Sequence, residues 1–326
     1  MKKILVLKLG GNCNINCPHC HCKRVEFQFN KDILEYIKNE RFDRITFSGG
    51  EPLIYFPIIK TVCEYIGKTC EYKLVTNTTL LDEEKVKFFN EYGFHIGASY
   101  DGENNARDGK YINKFYLLSQ ITNHALAILY GTENENYSRL LADVQRISTK
   151  YKLYEQINRI WLNFTHQTEI NPNEHITKDF AKQYCLLMCN LLETEMLSIK
   201  NGNSTIQNCP VLSIGFNKWV RKHKRRGCAC MNENKIQLNI AGQFMLCPYG
   251  DKIVGDIYSG IDWDLVESYL PEKCKSCDIW ESCENQCIAN ITDNECFISK
   301  VMNKHFRKLM TKYNMPYEYL AREISE

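Results

Sequence analysis

Directly after its first apolar run, Ile4–Lys8, the chain reads Cys13-Asn-Ile-Asn-Cys17-Pro-His-Cys20. Three thiolates packed this tightly on one loop can hold three irons of a 4Fe–4S cubane and leave the fourth iron open to a small molecule. The loop alone also admits a structural zinc site with Cys22 or His19 as fourth ligand. The 17 cysteines of the 326-residue chain point to metal as well. No export signal is expected, because the opening apolar run is broken by Lys8 and followed at once by glycines and a cysteine. A reducing cytosol does not sustain disulfides, so the expected compartment is cytoplasmic and the expected use of cysteine is metal binding. No stretch reaches the length of a membrane span, and no membrane partner is expected. A formal net charge of +2 gives no global pull toward nucleic acid or acidic lipid.

Up to about residue 165, short apolar runs alternate with amphipathic stretches. Ile4–Lys8, Arg44–Phe47, Tyr72–Thr76, His95–Ser99, Ala125–Tyr130 and Arg159–Phe164 read as strands. Lys31–Glu40, Phe56–Ile66, Asp82–Tyr92, Asn113–Thr122 and Tyr137–Thr149 read as helices between them. The succession predicts an α/β fold, a parallel sheet with helical crossovers forming a partial (β/α)6 barrel. A long helix over Ile176–Leu197 closes this first unit, residues 1–200, and Asn201–Asn208 reads as a linker. Nine of the 17 cysteines then fall between Cys209 and Cys296. One hairpin, Lys235–Leu246 turning at Ala241–Gly242, and few other regular elements accompany them. That composition predicts a small cysteine-rich iron–sulfur domain over 201–297, followed by a closing helix over 298–326.

A second motif, Ser48-Gly49-Gly50-Glu51-Pro52, follows the second strand at the same sheet edge as the cysteine loop, where parallel α/β proteins bind ligands. Alone it reads as a tight turn. Its paired glycines also let backbone approach a ligand, with carbonyls able to accept from an ammonium group. The two motifs together resemble the radical SAM superfamily, over roughly residues 3–165. The resemblance implies that Cys13, Cys17 and Cys20 bind a 4Fe–4S cluster and that S-adenosylmethionine (SAM) chelates its open iron. It implies that Gly49, Gly50, Glu51 and Pro52 line the methionine moiety. Asn77, after the third strand, and Ser99, at the end of the fourth, are carried over as residues reaching the ribose or the reacting centre. As strand-end residues they also have an ordinary turn role. His19 stands where relatives commonly carry a carbocyclic aromatic residue.

The C-terminal cysteines run Cys230-x11-Gly242-x4-Cys247, with Cys228 also in range, then Cys274-x2-Cys277-x5-Cys283-x3-Cys287 and Cys296. This resembles the SPASM domain of radical SAM enzymes that modify peptides, which implies two auxiliary 4Fe–4S clusters. One would use Cys247, Cys287 and one or both of Cys228 and Cys230, with Cys209 as a spare ligand. The other would use Cys274, Cys277, Cys283 and Cys296. A zinc ribbon built from the same C-x2-C units is the competing reading. If only one of Cys228 and Cys230 ligates, the other is a thiol able to donate a hydrogen atom to a substrate radical. Cys63, Cys70, Cys185 and Cys189 read as small buried apolar residues. The basic run Lys218–Arg226 reads as a solvated face or as a docking strip for an acidic peptide segment. A nucleic-acid partner is not expected, because only Trp219 interleaves these charges.

The resemblance implies reductive cleavage of SAM to a 5′-deoxyadenosyl radical that abstracts hydrogen from a residue of a small ribosomal precursor peptide. The outcome would be epimerisation or a side-chain cross-link. Implied partners are that peptide, an external one-electron reductant of flavodoxin or ferredoxin type, and a separate peptide-recognition protein. The last is expected because the first cluster motif already begins at Cys13. Anaerobic sulfatase maturation, which makes formylglycine, is an alternative. As the resemblance has it, an acidic base follows the second cysteine of the G-x4-C unit in that family, whereas here Pro248 does and Asp251 is displaced. A non-catalytic zinc-binding module is the alternative of another class. Tyr249, Asp251 and His166 are candidate bases.

Overall fold

Leu5, Val6 and Leu7 of β1 (Ile4–Lys8) are all buried, as expected of a strand covered on both faces. The computed structural model describes residues 2–17, 20, 22, 24–100, 114–129, 137–153, 161–163, 177–222, 231, 234–247, 250–283 and 293–325. Parallel to β1 and in chain order follow β2 (Arg44–Ser48), β3 (Glu71–Thr76), β4 (His95–Tyr100), β5 (Asn123–Leu129) and β6 (Trp161–Asn163). Between them run α1 (Asp32–Glu40), α2 (Phe56–Ile66), α3 (Glu83–Glu91), α4 (Phe115–Leu118) and α5 (Tyr137–Tyr151). This is the β/α succession that the sequence predicts. Its strand order is open, because the other edge of β1 is taken by β7 (Lys235–Asn239), also parallel. The antiparallel strands β8 (Gln243–Met245), β9 (Ile253–Asp256) and β10 (Gly260–Ile261) extend the sheet to ten strands, β10-β9-β8-β7-β1-β2-β3-β4-β5-β6. The cysteine-rich segment thus enters the fold through the sheet itself.

In-register pairing gives the parallel strands two different faces. Leu5, Leu7, Ile45, Phe47, Leu74 and Ile96 share one, in the same buried cluster as Ile33 of α1 and Ile59 of α2. The opposite face carries Lys8, Thr46, Ser48, Lys73, His95 and Ser99, and Gln237 and Asn239 continue it onto β7. Apolar packing explains the first face. It does not explain a polar row on the second.

The β7–β8 hairpin turns as expected. Gly242 takes φ +87°, a conformation that favours glycine, and Asn239 Oδ1 accepts the N–H groups of Ala241 and Gln243, each at 3.0 Å. Where helices begin, side chains accept orphan N–H groups: Asp82 for α3, and Thr177 for α6 (Lys178–Lys200).

Three sequence expectations need correction. The helix read over Asn113–Thr122 is helical only at Phe115–Leu118 among the described residues, because Asn90 Oδ1 captures the Thr122 N–H at 2.8 Å and ends the element. The segment after the linker is richer in helix than expected, with α7 (Pro210–Trp219), α8 (Trp263–Ser268) and α9 (Glu272–Lys275). Pro210 at the first turn of α7 was the available start signal. The closing helix is two helices, α10 (Asp293–Tyr313) and α11 (Tyr317–Ser325). Asn314 takes φ 54° as a left-handed terminator, and Pro316 cannot continue a helix.

Candidate active site

The loop after β1 is held from two sides. Glu26 Oε1 accepts the N–H groups of Gly11 and Asn12, each at 3.1 Å, and the Tyr55 hydroxyl at 2.6 Å. From β2, the Gly50 N–H donates to the Gly10 carbonyl at 3.1 Å and the Glu51 N–H to the Asn12 carbonyl at 2.8 Å. A Cβ on Gly50 would sit 2.3 Å from the Asn12 oxygen and 2.4 Å from the Gly11 oxygen; one on Gly49 would sit 2.7 Å from the Gly10 oxygen. Only glycine permits this approach of backbone to backbone. The paired glycines therefore seat the cysteine loop.

Within that loop Cys13, Cys17 and Cys20 are each half-buried, and the Cys20 N–H donates to the Cys17 carbonyl. Burial pushes the Cys13 thiol up, and the charges of Glu51 and Cys20 add to this against the Ile15 N–H and Arg24. Cys22 is buried beside them, and burial is the main cause that pushes its thiol up to about 11. Three half-buried thiols on one seated loop suit an iron–sulfur cluster. Among the described residues no three His, Cys, Asp or Glu side chains converge on one metal ion. Separate irons of a cluster do not require such convergence.

Glu51 is 1% exposed. Its Oε1 accepts the Leu53 N–H at 3.0 Å and the Thr76 hydroxyl at 2.7 Å, while Oε2 accepts the Asn77 N–H at 2.8 Å. Pro52 opens the short 3-10 turn that leads into α2. Asn77 then reaches the cysteine loop, its Nδ2 lying 3.0 Å from Asn14 Oδ1 and 3.9 Å from Cys13 Sγ. Thr78 follows at φ 64°, a strained conformation for a β-branched residue, and is fully buried. Ser99 lies further along the sheet, opposite Ala127 on the polar face.

Cys274, Cys277, Cys283 and Cys296 line one cavity of about 190 Å³. Burial pushes the Cys274 thiol up, and the charges of Cys296, Cys277 and Cys283 follow, so all four lie within electrostatic reach. Lys273 also borders the cavity and pairs with Asp293 at 3.0 Å. Behind it Asn303 of α10 donates to Ser282, next to Cys283, at 3.1 Å, and to the Trp219 carbonyl. The donor set, four thiols beside an ammonium, fits a fully ligated cluster. Cys247 lies elsewhere, past β8, in a loop whose Gly250 carbonyl accepts from Lys8 Nζ at 3.0 Å.

Cys228, Cys230, Cys287, His19, Tyr249, His166 and residues 223–226 of the basic run lie outside the described residues. Trp219 is 2% exposed, which removes it as a stacking platform, and Lys222 pairs with Glu281 at 3.5 Å. Cys209 is buried with its Sγ 3.5 Å from Ser204 Oγ. Cys63 and Cys185 are buried, and Cys70 and Cys189 are half-buried, consistent with packing roles. Glu26 and Tyr55 carry no local signal in the sequence, and Lys8 shows there only as a break in an apolar run.

The sequence profile of the radical SAM superfamily matches residues 7–116. MJ0907, an uncharacterized protein of Methanocaldococcus jannaschii, is 32% identical over 111 residues, which span 31% of this chain and only 39% of that protein. A cysteine-type anaerobic sulfatase-maturating enzyme of Clostridium novyi is 24% identical over 89% of each chain. Among solved structures, anSMEcpe with bound AdoMet gives a TM-score of 0.67 at 18% identity, covering 96% of this chain and 99% of that one. SuiB of Streptococcus suis, bound to precursor peptide SuiA, gives 0.61 at 15% identity, covering 91% and 76%. At such identities the structural likeness establishes a shared fold.

Proposed function

We propose that this chain, an enzyme that belongs to the radical SAM superfamily, modifies a residue of a ribosomally made peptide by epimerisation or side-chain cross-linking. Cys13, Cys17 and Cys20 would hold the cluster that binds SAM. With SAM, such a cluster supplies one-electron cleavage to methionine and a 5′-deoxyadenosyl radical, which takes hydrogen from an unactivated carbon. This chain's own residues seat and orient. Glu26, Gly49 and Gly50 fix the loop, Glu51 fixes Asn77, and Asn77 meets Cys13 and Asn14. The polar face of the sheet, Ser99 included, is the surface offered to cofactor and substrate.

The observation that carries the peptide reading is the four-cysteine cavity at Cys274, Cys277, Cys283 and Cys296, a second thiol-rich site beside a radical SAM domain. One auxiliary cluster is assigned there, and another to Cys247 with Cys287 and one or both of Cys228 and Cys230. Relatives of the same fold, anSMEcpe and SuiB, have been solved with AdoMet and with a precursor peptide respectively, and this supports a peptide substrate here. Among the described residues no helix is long and apolar enough to cross a membrane. We assign a cytoplasmic location, a flavodoxin- or ferredoxin-type reductant and a separate recognition protein. The domain boundaries near residues 200 and 297 belong to the same proposal.

The match over 89% of a sulfatase-maturating enzyme supports formylglycine formation equally. One experiment separates the readings. Anaerobically reconstituted enzyme is incubated in deuterated water with any small peptide found encoded beside it, or with a sulfatase peptide, and read by mass spectrometry. Gain of one deuterium identifies epimerisation, and loss of two hydrogens with fragments that stay joined across two residues and no hydrazine-reactive carbonyl identifies a cross-link. Conversion of cysteine or serine to formylglycine identifies maturation. SAM cleavage that leaves every such peptide unchanged would overturn both readings.

A further inference from the structure

Asn77, just past β3, is only 4% exposed, so its amide must find partners inside the protein. Its Oδ1 accepts the Thr79 N–H at 3.0 Å and the Thr79 hydroxyl at 2.6 Å. Its Nδ2 donates to Asn14 Oδ1 at 3.0 Å and faces Cys13 Sγ at 3.9 Å. Asn14 closes the circuit, since its Nδ2 donates to Thr79 Oγ1 at 2.7 Å. Asn14, Asn77 and Thr79 therefore form a ring of three side-chain hydrogen bonds between the cysteine loop and the end of β3.

One backbone group fixes the direction of every bond in this ring. The Thr79 N–H can only donate, so Asn77 must turn its oxygen toward it and its NH2 toward Asn14 and Cys13. A carboxamide has two donors and two lone-pair sites, and those of Asn77 are all taken. None of them is left for a ribose. The turn that brings Thr79 back onto Asn77 passes through Thr78 at φ 64°, a strained conformation for a threonine. Packing alone requires neither that strain nor a buried amide.

We propose that Asn77 is a positioning residue and not a contact to the ribose. Held by Asn14 and Thr79, it turns one N–H onto the Cys13 sulfur and raises the reduction potential of the cluster that Cys13, Cys17 and Cys20 would hold. The inference rests on that cluster assignment. Reduction adds one electron and makes the cluster and its thiolates more negative, so a donor aimed at a ligand sulfur stabilises the reduced form more than the oxidised one. Losing the donor must then lower the potential.

The test uses the full chain, reconstituted anaerobically, and follows by electron paramagnetic resonance the signal that disappears when Cys13, Cys17 and Cys20 are changed to Ala. Redox titration without SAM compares the wild type with Asn77→Ala, Thr79→Val and Thr79→Ser. Thr79 is only half-buried, so its variants should fold. Val keeps the shape of the side chain and the backbone N–H but breaks the ring, and Ser restores the hydroxyl. The potential should fall in Asn77→Ala, fall less in Thr79→Val and keep its wild-type value in Thr79→Ser. With SAM absent, a residue that served only the ribose would leave all four potentials equal, and that result would overturn the proposal. Lower iron loading in Thr79→Val with the potential of the loaded cluster unchanged would overturn it too, since the ring would then be purely structural. Equal potentials in Thr79→Val and the wild type decide against it even where Asn77→Ala loads no cluster. A spectrum that the triple Ala change leaves intact would instead remove the cluster assignment beneath it.

Discussion

The Glu51 carboxylate accepts the backbone N–H of Asn77 at 2.8 Å, joining the turn after β2 to the end of β3. Because Glu51 also accepts from Leu53 and Thr76 and is almost fully buried, removing it leaves three donors unsatisfied. Glu51→Ala should destabilise the apoprotein by about 3 kcal/mol, given about 1–3 kcal/mol for each buried unsatisfied group after partial relaxation. Glu51→Gln should cost less, since its amide oxygen still accepts at one of the two positions. Denaturant unfolding measures both. Equal stability of Glu51→Ala and the wild type would show that the strut carries no load. Because Asn77 reaches Cys13, SAM affinity should fall in parallel with stability.

Gly50 offers a sharper test of how the loop is seated. Its added Cβ would meet backbone oxygens of Gly11 and Asn12 rather than a flexible side chain. Gly50→Ala must therefore displace the cysteine loop, and most of the first cluster's iron should fail to load, with SAM cleavage falling in proportion. Iron and sulfide assays with detection of 5′-deoxyadenosine check this. Normal loading in Gly50→Ala would mean that the loop is not seated by this contact.

The two thiol sites should be separable. Changing Cys13, Cys17 and Cys20 together to Ala should abolish SAM cleavage while the iron of the auxiliary sites remains. Cys274→Ala should remove one cluster's share of iron and leave SAM cleavage in place, because its cavity is distinct from the loop after β1. Cys185, a packed residue of α6, is the control, and its replacement by Ala should lose no iron. Equal iron in Cys274→Ala and the wild type would empty the cavity of its assigned role.

Local chemistry was legible in the sequence, and long-range pairing was not. Phe56–Ile66 was delimited correctly because Pro57 marks its first turn and Gly67, at φ 73°, marks its end. The resemblance to the SPASM domain implied the grouping of the cavity's four cysteines, whereas spacing alone would join Cys287 to Cys283. Glu26 and Tyr55 gave no such signal, since their partners are each other and backbone groups of the loop after β1. Lys8 and Gly250 are 242 residues apart, and only the pairing of β7 with β1 brings them together. Trp219, within the run Lys218–Arg226, is the buried end of α7, and its carbonyl accepts from Asn303 of α10.

The edge of the sheet opposite the candidate site gives a pH-dependent prediction. Glu71 of β3 accepts from Lys2 at 2.5 Å and from Arg44 of β2 at 2.8 Å, and these partners hold its carboxyl down to about 2, Lys2 first. A carboxyl depressed on folding stabilises the native state above its unfolded pKa of about 4.3, and that contribution is lost as pH falls toward the folded value. The groups are partly exposed, so the effect at neutral pH should be modest, about 0.5 kcal/mol. Glu71→Gln should therefore unfold at a lower temperature than the wild type at pH 7, and the gap should close steadily from about pH 4.3 downward. Thermal scans of the apoprotein across this range measure it, with high salt expected to shrink the gap at pH 7. A gap that persisted undiminished toward pH 2 would mean that the lost interaction is packing and not charge.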